Sequence, residues 1–131
     1  MTDSTALVRG IYAAFAAGDV AKFFGFLHPQ IRWHEAEGFP LADRNPYVGI
    51  EALVAGVFGR LPELWSDFKV EPQEFAGSGA VVTMFGRYRG NGRRTGKPLD
   101  AQVAHIWWIE HGKAVRFQQM VDTAAVLASL A

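Results

Sequence analysis

The spacing of hydrophobic positions changes about halfway along the chain. In the first half, apolar side chains recur every three or four residues, which predicts amphipathic helices. Ser4 is a suitable N-cap for the first helix, Gly18 ends it, and Asp19 caps a short second helix. A third helix is predicted over residues 50–61. The apolar face of the first helix consists of Leu7, Val8, Ile11, Tyr12 and Phe15.

In the second half the apolar positions alternate, which predicts β-strands. Strands are expected at residues 68–75 and 80–88, after an isolated strand at 31–36. Residues 99–122 form a long hairpin around a polar turn at 110–113 that contains Gly112. Residues 37–47 form a loop long enough to act as a lid. Helices first and a meander of strands afterwards indicate an α+β fold, with helices across one face of a curved sheet. The chain is expected to be a single domain over residues 1–131.

Composition narrows the functional classes. The 131 residues carry 13 basic and 13 acidic side chains, so the net charge of zero predicts no nucleic-acid or membrane partner. There is no cysteine, which excludes disulfides and a thiolate nucleophile. The first residues lack a charged stretch followed by an apolar run, so we expect a soluble cytoplasmic protein. No metal-binding or nucleotide-binding motif occurs, and we expect no cofactor and no metal.

Four strings, in this order, resemble one known superfamily. They are YAAFAAGD at 12–19, WHEAE at 33–37, NPYVG at 45–49, and HGK at 111–113 leading to Asp122. Together they resemble the SnoaL-like polyketide cyclases and ketosteroid isomerases of the nuclear transport factor 2-like superfamily. The resemblance implies a cone-shaped fold in which a curved mixed sheet wraps around the N-terminal helices. It also implies a cofactor-free pocket for a hydrophobic small molecule and a homodimer formed through the outer sheet face.

Two carboxylates are candidates for acid–base catalysis. Glu35 shares a strand face with Ile31 and Trp33, and by resemblance it falls near the general base of ketosteroid isomerases. Burial beside Trp33 would raise its pKa, whereas a solvated strand end would leave it ordinary. Asp122 corresponds to the acid–base aspartate of SnoaL-like cyclases, and the alternative for it is an N-cap of the last helical turn. We expect Asp122 to face the pocket.

His105 is the third catalytic candidate, and its role depends on which face of the hairpin looks inward. One face carries Gln102 and Trp108, and the other carries His105 together with Val103, Trp107 and Phe117. We expect the first face to line the pocket and the second to pack against a partner subunit; an inverted register would instead turn His105 and His34 inward. The predicted substrate-binding residues are Trp33, Tyr47, Phe58, Gln102, Trp108, Gln118 and Met120.

The sequence also predicts a missing element. Ketosteroid isomerases bind the developing oxyanion with a tyrosine and a protonated aspartate. Ile11 and Ala104 fall at those positions here, so we expect no steroid isomerisation of that type. The predicted function is acid–base catalysis on an apolar, carbonyl-bearing small molecule, in which Asp122 or Glu35 moves the proton and Gln102 hydrogen-bonds the enolate, joined by His105 if it faces the pocket. The alternatives are a binding module without turnover, or a dimerisation domain whose cone is filled by its own side chains.

Overall fold

Helices and one six-stranded sheet form the described part of the chain. A computed structural model describes residues 3–131. The helices are α1 Ser4–Ala17, α2 Val20–Gly25, α3 Ile50–Leu53, α4 Leu61–Leu64 and α5 Thr123–Leu130, with a 3₁₀ helix at Pro40–Arg44 and a π-helical turn at Val54–Phe58. The strands are β1 Leu27–His34, β2 Tyr47–Val48, β3 Trp65–Ser78, β4 Val81–Gly92, β5 Pro98–Glu110 and β6 Lys113–Val121. The predicted α+β class is confirmed.

The sheet has the strand order β2-β1-β6-β5-β4-β3. β1 pairs with β6 in parallel, and every other pair is antiparallel, so the sheet is mixed. Register shifts interrupt β3, β1 and the β5–β6 pair, and such bulges increase local twist and curvature. The N-terminal helices cover the concave face, where α1 contacts both β3 and β4.

The first helix ends where the sequence predicts and begins with a different cap. The Asp3 carboxylate, rather than the Ser4 hydroxyl, accepts a hydrogen bond from the backbone N–H of Thr5 at 3.0 Å. Gly18 closes the helix with φ 69°, a left-handed conformation that favours glycine. Asp19 then caps α2 by accepting from the Lys22 N–H.

The single third helix predicted for residues 50–61 is wrong. After one helical turn the backbone widens into a π-turn, in which the N–H of Gly59 bonds to the carbonyl of Val54. A side chain at Gly56 would lie 2.2 Å from the Tyr47 ring, so the absence of a Cβ lets that ring pack directly against the helix. Phe58, the last residue of the π-turn, lies over the concave face, where its ring centroid is 5.7 Å from that of Trp33.

The inward face of the hairpin is the opposite of the one expected. Val103, His105 and Trp107 on β5 are buried, as is Phe117 on β6. Gln102 and Met120 are exposed on the other side of the sheet. Both β5 faces are rich in apolar residues, so alternation alone offers no contrast between them. The core is therefore built on the face that was expected to meet a partner subunit.

No helix within residues 3–131 is long and apolar enough to cross a membrane.

Candidate functional site

The helices and the concave sheet face enclose two adjoining chambers. The outer chamber has a volume of about 530 Å³ and lies between α1–α2, the π-turn and the start of β3. Aromatic and aliphatic side chains make up most of its wall, with Asp19, Asp67 and Arg93 as the charged exceptions. Five side chains line both chambers: Phe15, Phe23, Phe58, Leu61 and Phe68.

The inner chamber is much smaller, about 50 Å³, and it contains the polar chemistry. Its walls include Trp33, Phe39, Val57, Val70, Trp107 and Phe117. Besides the tryptophan indoles, five residues bring polar side-chain atoms into this aromatic environment: Tyr12 from α1, Glu35 after β1, Tyr88 from β4, His105 from β5 and Gln119 from β6.

Glu35 is held in place by its backbone, which leaves its carboxyl for the chamber. The Asn45 side chain accepts from the Glu35 N–H at 3.0 Å and donates to its carbonyl at 2.8 Å. Only 4% of the residue is exposed. This burial raises the pKa of the Glu35 carboxyl to about 8, against smaller opposing contributions from the neighbouring Trp33 indole and the Arg60 charge. A carboxyl in this range exchanges protons near neutral pH.

His105 joins two tyrosines in a buried hydrogen-bonded chain. The Tyr12 hydroxyl lies 2.6 Å from His105 Nδ1, and the Tyr88 hydroxyl lies 2.6 Å from His105 Nε2. Trp107 Nε1 donates to the Tyr12 oxygen at 2.9 Å, and Gln119 Nε2 donates to the Tyr88 oxygen at 2.8 Å. The two ends of this chain therefore have fixed donors.

Burial favours the neutral forms of the histidine and the two tyrosines in this hydrogen-bonded chain. Burial lowers the pKa of His105 to about 3, so the imidazole is neutral at physiological pH. Burial also raises the pKa of Tyr12 and of Tyr88 above the ordinary value. In the neutral state each tyrosine oxygen carries a proton and the imidazole carries one.

Comparisons with known proteins agree with this architecture. The family model of the SnoaL-like domain matches residues 8–117, most of the chain. The chain belongs to the SnoaL-like family. Its structure resembles that of an NTF2-like protein from Burkholderia thailandensis E264, with 36% identity, 98% coverage of each chain and a TM-score of 0.92. No curated protein matches the sequence.

Two further solved structures resemble this SnoaL-like protein. One is an NTF2-like protein from Burkholderia pseudomallei K96243, at 26% identity and a TM-score of 0.88, covering 99% of this chain and 98% of that one. The other is TerC crystallised with polyporic acid, at 25% identity and a TM-score of 0.83, with 94% of each chain covered. The cone-shaped NTF2-like fold expected from the sequence is thereby confirmed.

Asp122 lies away from both chambers of the SnoaL-like domain. Its exposed carboxylate caps α5 by accepting from the Ala125 N–H at 3.1 Å, which is the alternative that the sequence left open. Because the inward face of β6 carries Phe117, two-residue alternation directs Gln118, Met120 and the following Asp122 outward. The structure does not bring Asp122 together with Glu35.

Only some of the predicted substrate-binding residues line a chamber. Trp33 and Phe58 line the inner chamber as expected. Gln102, Trp108, Gln118 and Met120 lie on the opposite face of the sheet and line neither chamber. Tyr47 is buried beneath the π-turn, where its hydroxyl donates to the Leu41 carbonyl.

Only one of the two histidines lines a chamber. His105 points inward, as the inverted register required, whereas His34 does not line either chamber. Burial lowers the pKa of His34, and the positive charges of Arg116 and Arg32 lower it further. Glu35 and Trp33 share the inward face, and so does Ile31, as the period of two predicts.

Three polar residues of the inner chamber were not identified as site residues from the sequence. Tyr12 was assigned only to the apolar face of the first helix, and Ile11 to the position of the oxyanion donor, but both residues line the inner chamber. Tyr88 and Gln119 were not singled out. Gln119 follows Phe117 by two positions, so correct assignment of the inward face would have identified it.

The cone is not filled by its own side chains. The outer chamber of about 530 Å³ contradicts the expectation attached to the dimerisation-only hypothesis, although the inner chamber has room for only a few atoms. Within the described residues, no three His, Asp or Glu side chains cluster in a way that could hold a metal ion.

Proposed function

We propose that this SnoaL-like domain binds an apolar, carbonyl-bearing small molecule and that Glu35 moves a proton at the carbon next to the carbonyl. The observation that carries the proposal is the buried Glu35 carboxyl, which lines an aromatic chamber and has a pKa of about 8. A general acid or base works best when its pKa lies close to the operating pH.

The two chambers suggest how such a ligand would be arranged. About 50 Å³ accommodates a carbonyl group and its adjacent carbon, and about 530 Å³ accommodates an apolar ring system. The carbonyl end would therefore lie beside Glu35, with the rings between α1–α2 and the π-turn. TerC, which was crystallised with polyporic acid, supports the binding of a small organic molecule.

The predicted enolate-binding roles change with the geometry. Gln102 lies on the outer face, and both ring nitrogens of His105 already face tyrosine hydroxyls. A direct hydrogen bond from His105 to the ligand would break one of these contacts. We therefore assign His105 to the positioning of Tyr12 and Tyr88.

Hydrogen–deuterium exchange of an enolisable ketone tests this function without knowledge of the natural substrate. The probe is 2-tetralone in D₂O, followed by proton NMR. Because the base is the ionised form of Glu35, we expect exchange to rise with pH and level off above about pH 8. Glu35→Gln should lower the protein-dependent rate at least about a hundredfold. The matched control is Glu37→Gln, which removes an exposed carboxylate two residues away. Equal rates for wild type and Glu35→Gln would contradict the proposal.

A binding module without turnover is the second candidate. It is favoured by the mutual hydrogen bonding of Tyr12, His105, Tyr88 and Gln119, which gives each of these side chains at least one protein partner without a ligand. This candidate predicts that 2-tetralone or polyporic acid binds and is recovered unchanged. Binding without deuterium incorporation at pH 9 would favour it over the enzyme.

A homodimer through the outer sheet face is also proposed. Phe85, Ala104 and Met120 lie in one row across β4, β5 and β6. Phe85 is 44% exposed and Met120 is 53% exposed, so a monomer leaves apolar surface in water. Sedimentation velocity should show a dimer at micromolar concentration, and Phe85→Glu should dissociate it. A monomeric wild-type protein would contradict this.

A further inference from the structure

In the buried hydrogen-bonded chain of Tyr12, His105 and Tyr88, one hydroxyl hydrogen has no acceptor within that chain. Trp107 donates to Tyr12, and Gln119 donates to Tyr88. The orientation of the Gln119 amide is fixed because its oxygen accepts from the Ala36 N–H at 3.0 Å. A neutral imidazole has one N–H donor and one acceptor nitrogen. Only two tautomers of His105 are then possible.

With the proton on Nε2, His105 donates to Tyr88 and accepts from Tyr12. The Tyr88 oxygen then receives two hydrogen bonds, from His105 and from Gln119, and its own hydrogen is left over. With the proton on Nδ1, the arrangement reverses and the hydrogen of Tyr12 is left over. Each tautomer thus leaves one phenol hydrogen for another acceptor, on the tyrosine that already accepts twice.

The two tyrosines differ in the polar groups near them. Aromatic rings surround both side chains, so a spare hydroxyl hydrogen is buried without a partner unless an oxygen atom lies beside it. Such a group costs roughly 1–3 kcal/mol. The Tyr88 hydroxyl contacts the Gln119 amide, whose oxygen contacts the Ala36 N–H, so Tyr88 lies beside the backbone that carries Glu35 into the inner chamber. The Nε2–H tautomer therefore places the spare hydrogen on the tyrosine that lies next to an oxygen acceptor.

We propose that Tyr88 donates its spare hydroxyl hydrogen to an oxygen of the ligand in the inner chamber, and that His105, as the Nε2–H tautomer, is the positioning residue that keeps this hydrogen free. The preferred ligands carry negative charge on that oxygen, as an enolate or phenolate does. Two hydrogen bonds into the Tyr88 oxygen make its hydroxyl a stronger donor to such an anion. This inference depends on the proposed function only for the location of the ligand.

Nitrogen NMR of the ligand-free protein tests the tautomer directly. With nitrogen-15-labelled histidine, we expect the His105 proton on Nε2 between pH 5 and pH 8, a range in which its pKa of about 3 keeps the ring neutral. A proton on Nδ1 overturns the proposal. This measurement uses the wild-type protein and needs neither turnover nor a folded variant.

Ionisation of bound 2-naphthol tests the donor. The background is Glu35→Gln, so that neither the Glu35 charge nor catalysis affects the titration. We expect the pKa of the bound naphthol to lie below its value in water, and Tyr88→Phe in this background to raise it by about one unit, a tenfold loss of preference for the anion. Tyr47→Phe, which removes a buried hydroxyl outside both chambers, should leave it unchanged.

A second pair of variants separates positioning from stability. His105→Gln can offer an N–H near the place of Nε2 and should keep the naphthol pKa close to that of the background protein. His105→Leu cannot, and it should raise the value as Tyr88→Phe does. Three results would each overturn the proposal. They are equal naphthol pKa values in His105→Gln and His105→Leu, no effect of Tyr88→Phe on that pKa, and no naphthol binding to the Glu35→Gln protein. Failure of 2-tetralone exchange in wild type would instead overturn the proposed function alone.

Discussion

Replacing Glu35 with glutamine should make the protein more stable at alkaline pH, by an amount that depends on pH. The folded carboxyl has a pKa of about 8, against 4.5 for an unperturbed one. Between these values the folded state keeps a proton that the unfolded state releases. Wild-type stability therefore falls as pH rises from 4.5 to 8 because of this group. Glutamine does not titrate, so the variant lacks this loss.

The size of the effect follows from the two pKa values. Each pH unit is worth about 1.4 kcal/mol, so a rise from 4.5 to about 8 corresponds to at most ~5 kcal/mol. Water entering the chamber reduces this, so we expect a gain of about 2–4 kcal/mol for Glu35→Gln at pH 9 relative to its effect at pH 4.5.

Urea unfolding of both proteins at pH 4.5, 6, 7.5 and 9 measures the difference. Comparing the variant with wild type at each pH cancels the contribution of every other titrating group, including His105. Any constant cost of burying the glutamine amide shifts all four points equally and does not affect the slope. Glu37→Gln serves as the control, because that carboxylate is exposed. A difference between Glu35→Gln and wild type that stays constant from pH 4.5 to 9 would refute the reasoning.

Three further predictions concern Asp122, Gly56 and His105. Asp122→Ala should lower the free energy of unfolding by about 1 kcal/mol, because it removes the α5 cap, while 2-tetralone exchange stays unchanged; a large loss of exchange would restore Asp122 as a catalytic candidate. Gly56→Ala should cost about 1–3 kcal/mol in urea unfolding, since its Cβ would lie 2.2 Å from the Tyr47 ring, and an unaffected stability would show that the ring moves freely. The His105 pKa of about 3, against 6.5 unperturbed, means that wild-type stability falls as pH drops from 6.5 towards 3. His105→Gln should lack that part of the acid dependence, and parallel curves would contradict it.

The sequence predicts the structure correctly where a residue type has only one common structural role. Gly18 closes α1 and Asp19 caps α2 because a positive φ and an N-cap oxygen each favour few residue types. Glu35 shares a strand face with Ile31 and Trp33, which favoured a buried position over the alternative of a solvated strand end, and the structure buries all three. Their pattern contrasts clearly with the exposed Arg32 between them.

The sequence was insufficient where two faces of an element look alike. Along β5, Val103 and Trp107 face inward while Ile106 and Trp108 face outward, so both sides are apolar and the period of two is uninformative. The contact between Tyr12 and His105 spans 93 positions, and no local pattern predicts which histidine a tyrosine will meet. The packing of Tyr47 against Gly56 in the π-turn is likewise a tertiary contact, which helical periodicity does not contain.

The central claim is that a buried Glu35 carboxyl meets a ligand in the inner chamber. Carbon-13 NMR of the Glu35 side-chain carboxyl, titrated from pH 4 to 10 with and without 2-tetralone, tests it most directly. We expect titration near pH 8 in the free protein, and a change in both the midpoint and the chemical shift when the ketone is bound. A carboxyl that titrates near 4.5 and does not respond to the ketone would contradict the account.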